Sequence, residues 1–215
     1  MGRTAIIADL HLGFEGAMRK AGVAFPRVQI EEIRRSLERI LKGVKEVVVA
    51  GDLKHEFSEN LPHEWRDVED FLRFLGEKGV EVILVRGNHD NYLKAIARKF
   101  GVDVVEEYEV KGIGVIHGHR CEEWERVIMG HEHPAVKVRV RGGVYSYPCF
   151  LRVEGYLVLP AMSPLLSGSD VLTLESFLSP CLKGFRPADA EVYAVCDGVY
   201  YLGRAGEVSR VLQGF

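Results

Sequence analysis

Short apolar runs that end abruptly at glycine or polar residues set the pattern of the first half of this chain. Thr4 to Ala8 is apolar and stops at Asp9-Leu10-His11. Val47 to Ala50 stops at Gly51-Asp52, and Val82 to Val85 leads to Arg86 and then Gly87-Asn88-His89-Asp90. Runs of this length without alternation predict strands buried on both faces. Between them lie longer segments of helical period. Ile30, Ile33, Leu37, Ile40, Leu41 and Val44 recur at three and four, after Pro26, with Gly43 as a stop. Trp65, Val68, Phe71, Leu72 and Leu75 do the same between Pro62 and Gly79. Residues 13–24 hold three glycines and no period, which predicts mostly loop. Tyr92 to Phe100 predicts a short helix, and Val102 to Val105 a short strand. The order β-α-β-α-β, extended by a further helix and strand, predicts a mostly parallel sheet covered by helices.

The second half changes period. Ile113 to Ile116 leads to His117-Gly118-His119, and Val127 to Met129 leads to Gly130-His131-Glu132-His133. Val136, Val138 and Val140 then alternate with Lys137, Arg139 and Arg141, a strand with one wet face and Gly142-Gly143 as its turn. Leu151–Val153, Tyr156–Leu159, Val192–Val195 and Val199–Leu202 read as further strands, so this half predicts antiparallel β. Residues 160–187, with four prolines, predict a long ordered loop and a short helix near Leu174–Leu178. No repeat or linker divides the chain. The expectation is one domain over residues 1–215, an α/β two-sheet sandwich with mixed sheets flanked by helices.

Composition narrows the class. The 215 residues are 47% hydrophobic, enough for a substantial core. A net charge of −3 advertises neither nucleic acid nor an anionic membrane, though a local basic patch remains open. The four cysteines, Cys121, Cys149, Cys181 and Cys196, form no C-x-x-C pair. Reduced, mostly buried thiols in a cytoplasmic protein are expected. No leader pattern is present, and no apolar run approaches the roughly 18 residues of a membrane span.

The chemistry concentrates at five strand ends: Asp9 and His11; Asp52; Asn88 and His89; His117; His131 and His133. Strands of a parallel-type sheet bring such ends into one crevice. Carboxylate, amide and imidazole donors in this number exceed the needs of one tetrahedral zinc and suit two ions of intermediate hardness. Two ions about 3.5–4 Å apart hold a hydroxide and neutralise a phosphoryl group during in-line displacement.

Taken in order, Asp9-x-His11, Gly51-Asp52, Gly87-Asn88-His89-Asp90, His117-Gly118 and Gly130-His131-x-His133 resemble the five motifs of the calcineurin-like metallophosphoesterases, over residues 5–133. Gly51 to His55, and Pro160 to Leu166 with Gly168 and Asp170, are similar to one branch. It comprises archaeal phosphoesterases related to the double-strand-break repair nuclease and bacterial phosphoesterases associated with a DNA ligase. The resemblance implies a metal-dependent phosphoesterase, a phosphodiesterase above all, that uses a hydroxide activated by two metals. Asp9, His11, Asp52 and His133 would hold the first ion; Asp52, Asn88, His117 and His131 would hold the second. Manganese is the expected ion, with iron, zinc, cobalt and nickel as alternatives. His89 would protonate the leaving oxygen, a role suited to an imidazole. Asp90 would orient His89 or serve a turn.

His55, His119, Arg120 and Arg86 lie beside these motifs and are candidates for the substrate side, against turn or ion-pair roles. Backbone N–H groups around Gly51, Gly87 and Gly118 are expected near phosphate oxygens. Lys137, Arg139 and Arg141 read as a solvated face or as a basic stripe for a nucleic-acid backbone. The expected substrate is a small phosphodiester or a nucleic-acid end, with residues 160–187 walling the crevice, and a homodimer is the default assembly. Competing readings are a non-catalytic metal-binding scaffold of the same fold, a nuclease acting on DNA or RNA ends, and a zinc amidohydrolase. The last would place its H-x-H pair after the first strand rather than at the end of the series.

Overall fold

The first apolar runs become neighbouring strands whose alternate residues serve two different cores. In the computed structural model, which describes residues 3–58 and 61–213, β1 (Arg3–Ile7), β2 (Val44–Ala50), β3 (Glu81–Val85) and β4 (Asp103–Val105) form one sheet in that order. All its pairings are parallel. Val47, Val49, Val82 and Leu84 face a core beneath the helices. Val48, Ala50, Ile83 and Val85 face the second sheet and meet Val115 and Leu159. Burial on both sides is why these runs show no polar alternation.

Parallel strands need crossovers, supplied by α1 (Phe14–Lys20), α2 (Gln29–Ile40), α3 (Pro62–Glu77) and α4 (Leu93–Ala97). α3 keeps to its sequence signals: Pro62 sits where a missing N–H costs nothing, and Gly79 lies just beyond the end with φ 67°. Two expectations fail nearby. The 13–24 stretch contains the seven-residue α1, and α2 starts at Gln29 rather than after Pro26. The second traces to Glu15 on α1. Its buried carboxylate accepts the N–H groups of Val28 and Gln29, both at 2.5 Å, capping α2 from another helix. α4 is shorter than expected and continues as a 3-10 turn over Arg98–Phe100.

The second sheet contains β5 (Tyr108–Val110), β6 (Ile113–Ile116), β7 (Val127–Met129), β8 (Pro134–Val140), β9 (Gly143–Val153), β10 (Tyr156–Val158) and β11 (Ser169–Asp170). Its order is β11-β8-β9-β10-β7-β6-β5, with β12 (Glu191–Val195) and β13 (Val199–Arg204) added beside β9. It is mixed rather than antiparallel: β6, β7 and β10 run parallel to one another, and β11 runs parallel to β8. The parallel β6–β7 pair brings the ends of both strands, and with them His117 and His131, to the same edge. β9 begins eight residues before the expected Leu151, because its first half is exposed and carries no buried pattern. The β8–β9 turn is Arg141-Gly142, one residue earlier than expected. Residues 174–178 are not helical; 3-10 turns lie at Pro180–Leu182 and Pro187–Asp189 instead. The chain closes with α5 (Ala205–Gln213), which the sequence pattern did not announce. Cys149 and Cys181 are buried and Cys121 and Cys196 exposed, all four as free thiols, so half rather than most are core residues. Among the described residues no helix is long and apolar enough to cross a membrane.

Candidate metal centre

β1, β2, β3, β6 and β7 all end on one rim, and the residues that follow turn inward at once. Asp9 (φ 56°), His11 (47°), Asp52 (49°), His131 (73°) and His133 (45°) all occupy the left-handed region. For residues with a Cβ this costs about 1–3 kcal/mol each and persists only where the surroundings impose it. Here cross-loop hydrogen bonds impose it. Asp9 N–H donates to Gly51 O (3.1 Å), His11 N–H to Asp52 O (2.9 Å) and Gly130 N–H to His117 O (3.1 Å).

The side chains converge in two groups that share Asp52. Ligand atoms of Asp9, His11, Asp52 and His133 lie within 4.8 Å of one another. His11 Nε2 is 3.3 Å from His133 Nε2 and 3.6 Å from Asp52 Oδ2. On the other side of Asp52, His117 Nε2 is 3.4 Å from Asp52 Oδ2, 2.9 Å from Asn88 Oδ1 and 3.2 Å from His131 Nδ1. His117 Nδ1 lies 3.1 Å from Ala50 O, which fixes the proton there and turns Nε2 toward the cluster. Lone-pair atoms crowded in this way repel one another unless a proton or cation lies between them. Asp9 Oδ1 and His11 Nδ1 are buried without any hydrogen-bond partner. Carboxylate, amide and imidazole donors in this arrangement fit divalent ions of intermediate hardness.

The electrostatics agree. Burial holds His11 neutral, lowering its pKa to about 3. Burial and then the neighbouring His117 lower His131 to about 4. Burial also opposes charge on His117, but the hydrogen bond to Asp52 and the charges of Asp52 and Asp9 outweigh it and raise the pKa to about 9. Asp52 is itself buried, yet His117, His11 and His89 hold its carboxyl well below the usual carboxylate range. His11 and His131 thus have neutral rings with free lone pairs, while His117 would have to lose a proton to serve as a ligand.

The glycines leave room for these side chains. A Cβ on Gly87 would lie 2.1 Å from Asp52 Oδ1, and one on Gly51 would lie 2.3 Å from His117 Nδ1. The N–H of Gly87 is already donated to Asp90 Oδ2 (2.8 Å), and the open side of Gly118 is filled by Met129. Of the three glycines expected near phosphate oxygens, Gly87 has its N–H engaged within the protein.

The other candidates divide. His89 N–H donates to Asp52 Oδ1 (2.9 Å); its ring Nε2 is 3.9 Å from Asp52 Oδ2, and its Nδ1 rests against His55 O. Asp90 does not engage that ring. Its buried carboxylate accepts the N–H groups of Gly87 and Lys54, tying the β2 and β3 loops together. Burial and then Asp52 raise its pKa to about 6. His55 stacks near His89, with ring centres 6.0 Å apart, and His11, His55 and His89 also approach within 4.8 Å. The His119 ring lies 5.2 Å from that of His117, and burial lowers its pKa to about 4. Arg120 and Arg86 both reach Glu106, at 3.8 and 3.5 Å.

Several supporting residues escaped the sequence reading. Lys54 is fully buried against Glu64 (3.2 Å), whose carboxylate also accepts the N–H groups of His55 and Glu56. Gln29 Nε2 donates to His11 O (2.9 Å) and Ser163 Oγ (3.0 Å). Glu132 accepts from Leu178 N and Ser179 N, and Ser179 Oγ donates to Gly118 O. Met162 N–H and Ser163 N–H donate to Ala8 O and Asp9 O. The 160–187 segment is thus laced to the ligand loops. The one available signal was position: Lys54 and Glu132 stand inside Gly51-Asp52-Leu53-Lys54-His55 and Gly130-His131-Glu132-His133.

With two sheets, helices on the outer face and ligands at five strand ends, the molecule is an α/β metallophosphoesterase. The calcineurin-like phosphoesterase model matches residues 2–152, and the chain belongs to that family. It is accordingly a metal-binding hydrolase of phosphoester bonds. Among solved structures, the Pseudomonas putida nuclease MPE is similar with a TM-score of 0.66 and 24% identity, over 93% of this chain and 87% of that one, a likeness of fold. YfcE, a phosphoesterase from E. coli, is 18% identical over 74% of this chain and 80% of its own, with a TM-score of 0.44. The search of curated proteins gave no match.

Proposed function

We propose that this chain is a dinuclear metal phosphodiesterase. The observation that carries the reading is the place of Asp52, whose Oδ2 lies 3.6 Å from His11 Nε2 and 3.4 Å from His117 Nε2, between the two ligand groups. Asp9, His11, Asp52 and His133 would hold one ion, and Asp52, Asn88, His117 and His131 the other, with manganese favoured by the mixed nitrogen and oxygen donors. Bound there, two divalent ions supply Lewis acidity that neutralises phosphoryl charge and acidifies a water for in-line attack.

The chain's own residues do the rest. His89 Nδ1 donates to the His55 carbonyl, so it is the imidazolium form of the ring that has a proton at Nε2 to give to the leaving oxygen. Asp90 acts by position, fixing the loops that present Asp52 and His89. His55 and His119 flank the ligands on the substrate side, while Arg120 meets a phosphate only by leaving Glu106. A diester is favoured over a monoester because the similar Pseudomonas putida protein is named as a nuclease. The reading takes residues 1–215 as one catalytic domain, supported by the core shared between the sheets, and as cytoplasmic, supported by four free cysteines.

The test is hydrolysis of bis(p-nitrophenyl) phosphate by chelator-treated protein before and after manganese is added. Activity should vanish on chelation and return with about two ions per chain. Failure with manganese, iron, zinc, cobalt and nickel alike would remove the enzyme reading.

A further inference from the structure

The face of the β8–β9 hairpin that leads away from His133 carries features the metal centre does not use. The register pairs Ala135 with Pro148, Lys137 with Ser146 and Arg139 with Val144. Residues paired across an antiparallel ladder share a face, and alternate residues of a strand return to it. Ala135, Lys137 and Arg139 therefore lie together with Ser146 and Pro148, while Val136, Val138, Tyr145 and Tyr147 lie on the reverse. At the inner end of this face is a cavity of about 360 Å³ lined by His133, Pro134, Ala135, Ser146, Pro148 and Leu165 among others. Its walls are largely proline and aliphatic carbon, and His133 joins it directly to the ligand cluster.

Outward from the cavity the face becomes cationic. Lys137 is half-buried, Arg139 and the turn residue Arg141 are exposed, and among the described residues none of the three has an ion-pair partner. The neighbouring Asp170 carboxylate is engaged by the N–H groups of Lys137 and Leu172. Same-face residues of a strand recur about every 6.6 Å, which spaces Lys137 and Arg139, and Arg141 follows in the turn at the end of the strand. A ligand suited to this surface presents one flat apolar group beside the scissile phosphate and further anions at intervals beyond it. A cavity of this volume has room for a base.

We propose that this face is the track of a nucleic-acid single strand: the cavity receives one unstacked nucleoside, and Lys137, Arg139 and Arg141 receive successive phosphates. The inference rests on the phosphodiesterase reading for its catalysis, but its binding can be measured without turnover. A fluorescein-labelled oligothymidylate of about a dozen nucleotides is titrated in EDTA against the parent and the triple variant Lys137→Ala/Arg139→Ala/Arg141→Ala, with folding checked by thermal melting. The variant should bind about tenfold or more weakly, and the slope of log affinity against log salt should fall by about 2, the loss of three phosphate contacts on a single strand. With manganese present, the ratio of kcat/KM for the oligonucleotide to that for bis(p-nitrophenyl) phosphate should drop by a similar factor.

Parental affinity and salt slope in the variant would overturn the track, even with the small diester hydrolysed normally. Equal competition by duplex DNA would overturn the single-base cavity. Absence of bis(p-nitrophenyl) phosphate hydrolysis in the parent would instead count against the phosphodiesterase reading, with the anisotropy result still deciding the track.

Discussion

Gly87→Ala is the sharpest perturbation of the proposed centre, because it adds one methyl group and removes nothing. The new Cβ would lie 2.1 Å from Asp52 Oδ1 and 2.3 Å from Asp52 N, where ordinary contact begins at 3.4 Å. The carboxylate could rotate away, but the backbone nitrogen cannot. The end of β2 must therefore move by about 1 Å, and with it the His11 N–H to Asp52 O and His89 N–H to Asp52 Oδ1 hydrogen bonds. A misplacement of that size costs about 10²-fold in rate. Overpacking adds about 1–3 kcal/mol of destabilisation, lowering Tm by about 2–12 °C in a chain of this size while leaving it folded. The assay pairs kcat/KM on bis(p-nitrophenyl) phosphate with metal content after dialysis. Gly76→Ala in α3 is the control, since its Cβ would meet nothing within 4 Å. That variant should keep full activity and gain about 0.5–1 kcal/mol. Parental turnover and parental metal content in Gly87→Ala would show that Asp52 does not need its observed position, and the shared-carboxylate argument would fail.

Three further outcomes follow from the same geometry. His89→Ala should retain both metals while kcat falls by about 10²–10⁴; metal loss would make His89 a ligand instead of a proton donor. Lys54→Met strands the buried Glu64 carboxylate and should cost about 3–5 kcal/mol in urea melts, partly recovered by adding Glu64→Gln; a loss below about 1 kcal/mol would mean that Glu64 relaxes into water. Metal-free protein should lose stability as pH rises. His117, raised from 6.5 to about 9, favours the folded state fully below pH 6.5, and this contribution disappears through pH 9. The raised His133 acts in the same direction. The loss is of order 3 kcal/mol by denaturant titration in EDTA at pH 6.5 and 9, and a flat or rising profile would contradict it.

The sequence by itself determined the elements whose causes are local. β1, β2 and β3 follow from apolar runs buried on both faces, and α3 from its period, Pro62 and Gly79. The strand-end ligand candidates follow from polar residues placed where such runs stop. Tertiary structure alone decided what depends on residues distant in the chain. The start of α2 is set by Glu15 on another helix, and the meeting of His117 and His131 at one edge by the parallel β6–β7 pairing. The sequence left Asp90 between orienting His89 and serving a turn, and the fold decided for the turn by directing its carboxylate to the N–H groups of Gly87 and Lys54. Nothing in the sequence marked Lys54 and Glu64 as partners, and it was folding that removed both from water and set them 3.2 Å apart. Periodicity records which face a residue presents, but a buried polar group takes whatever partner the packed layers bring to it.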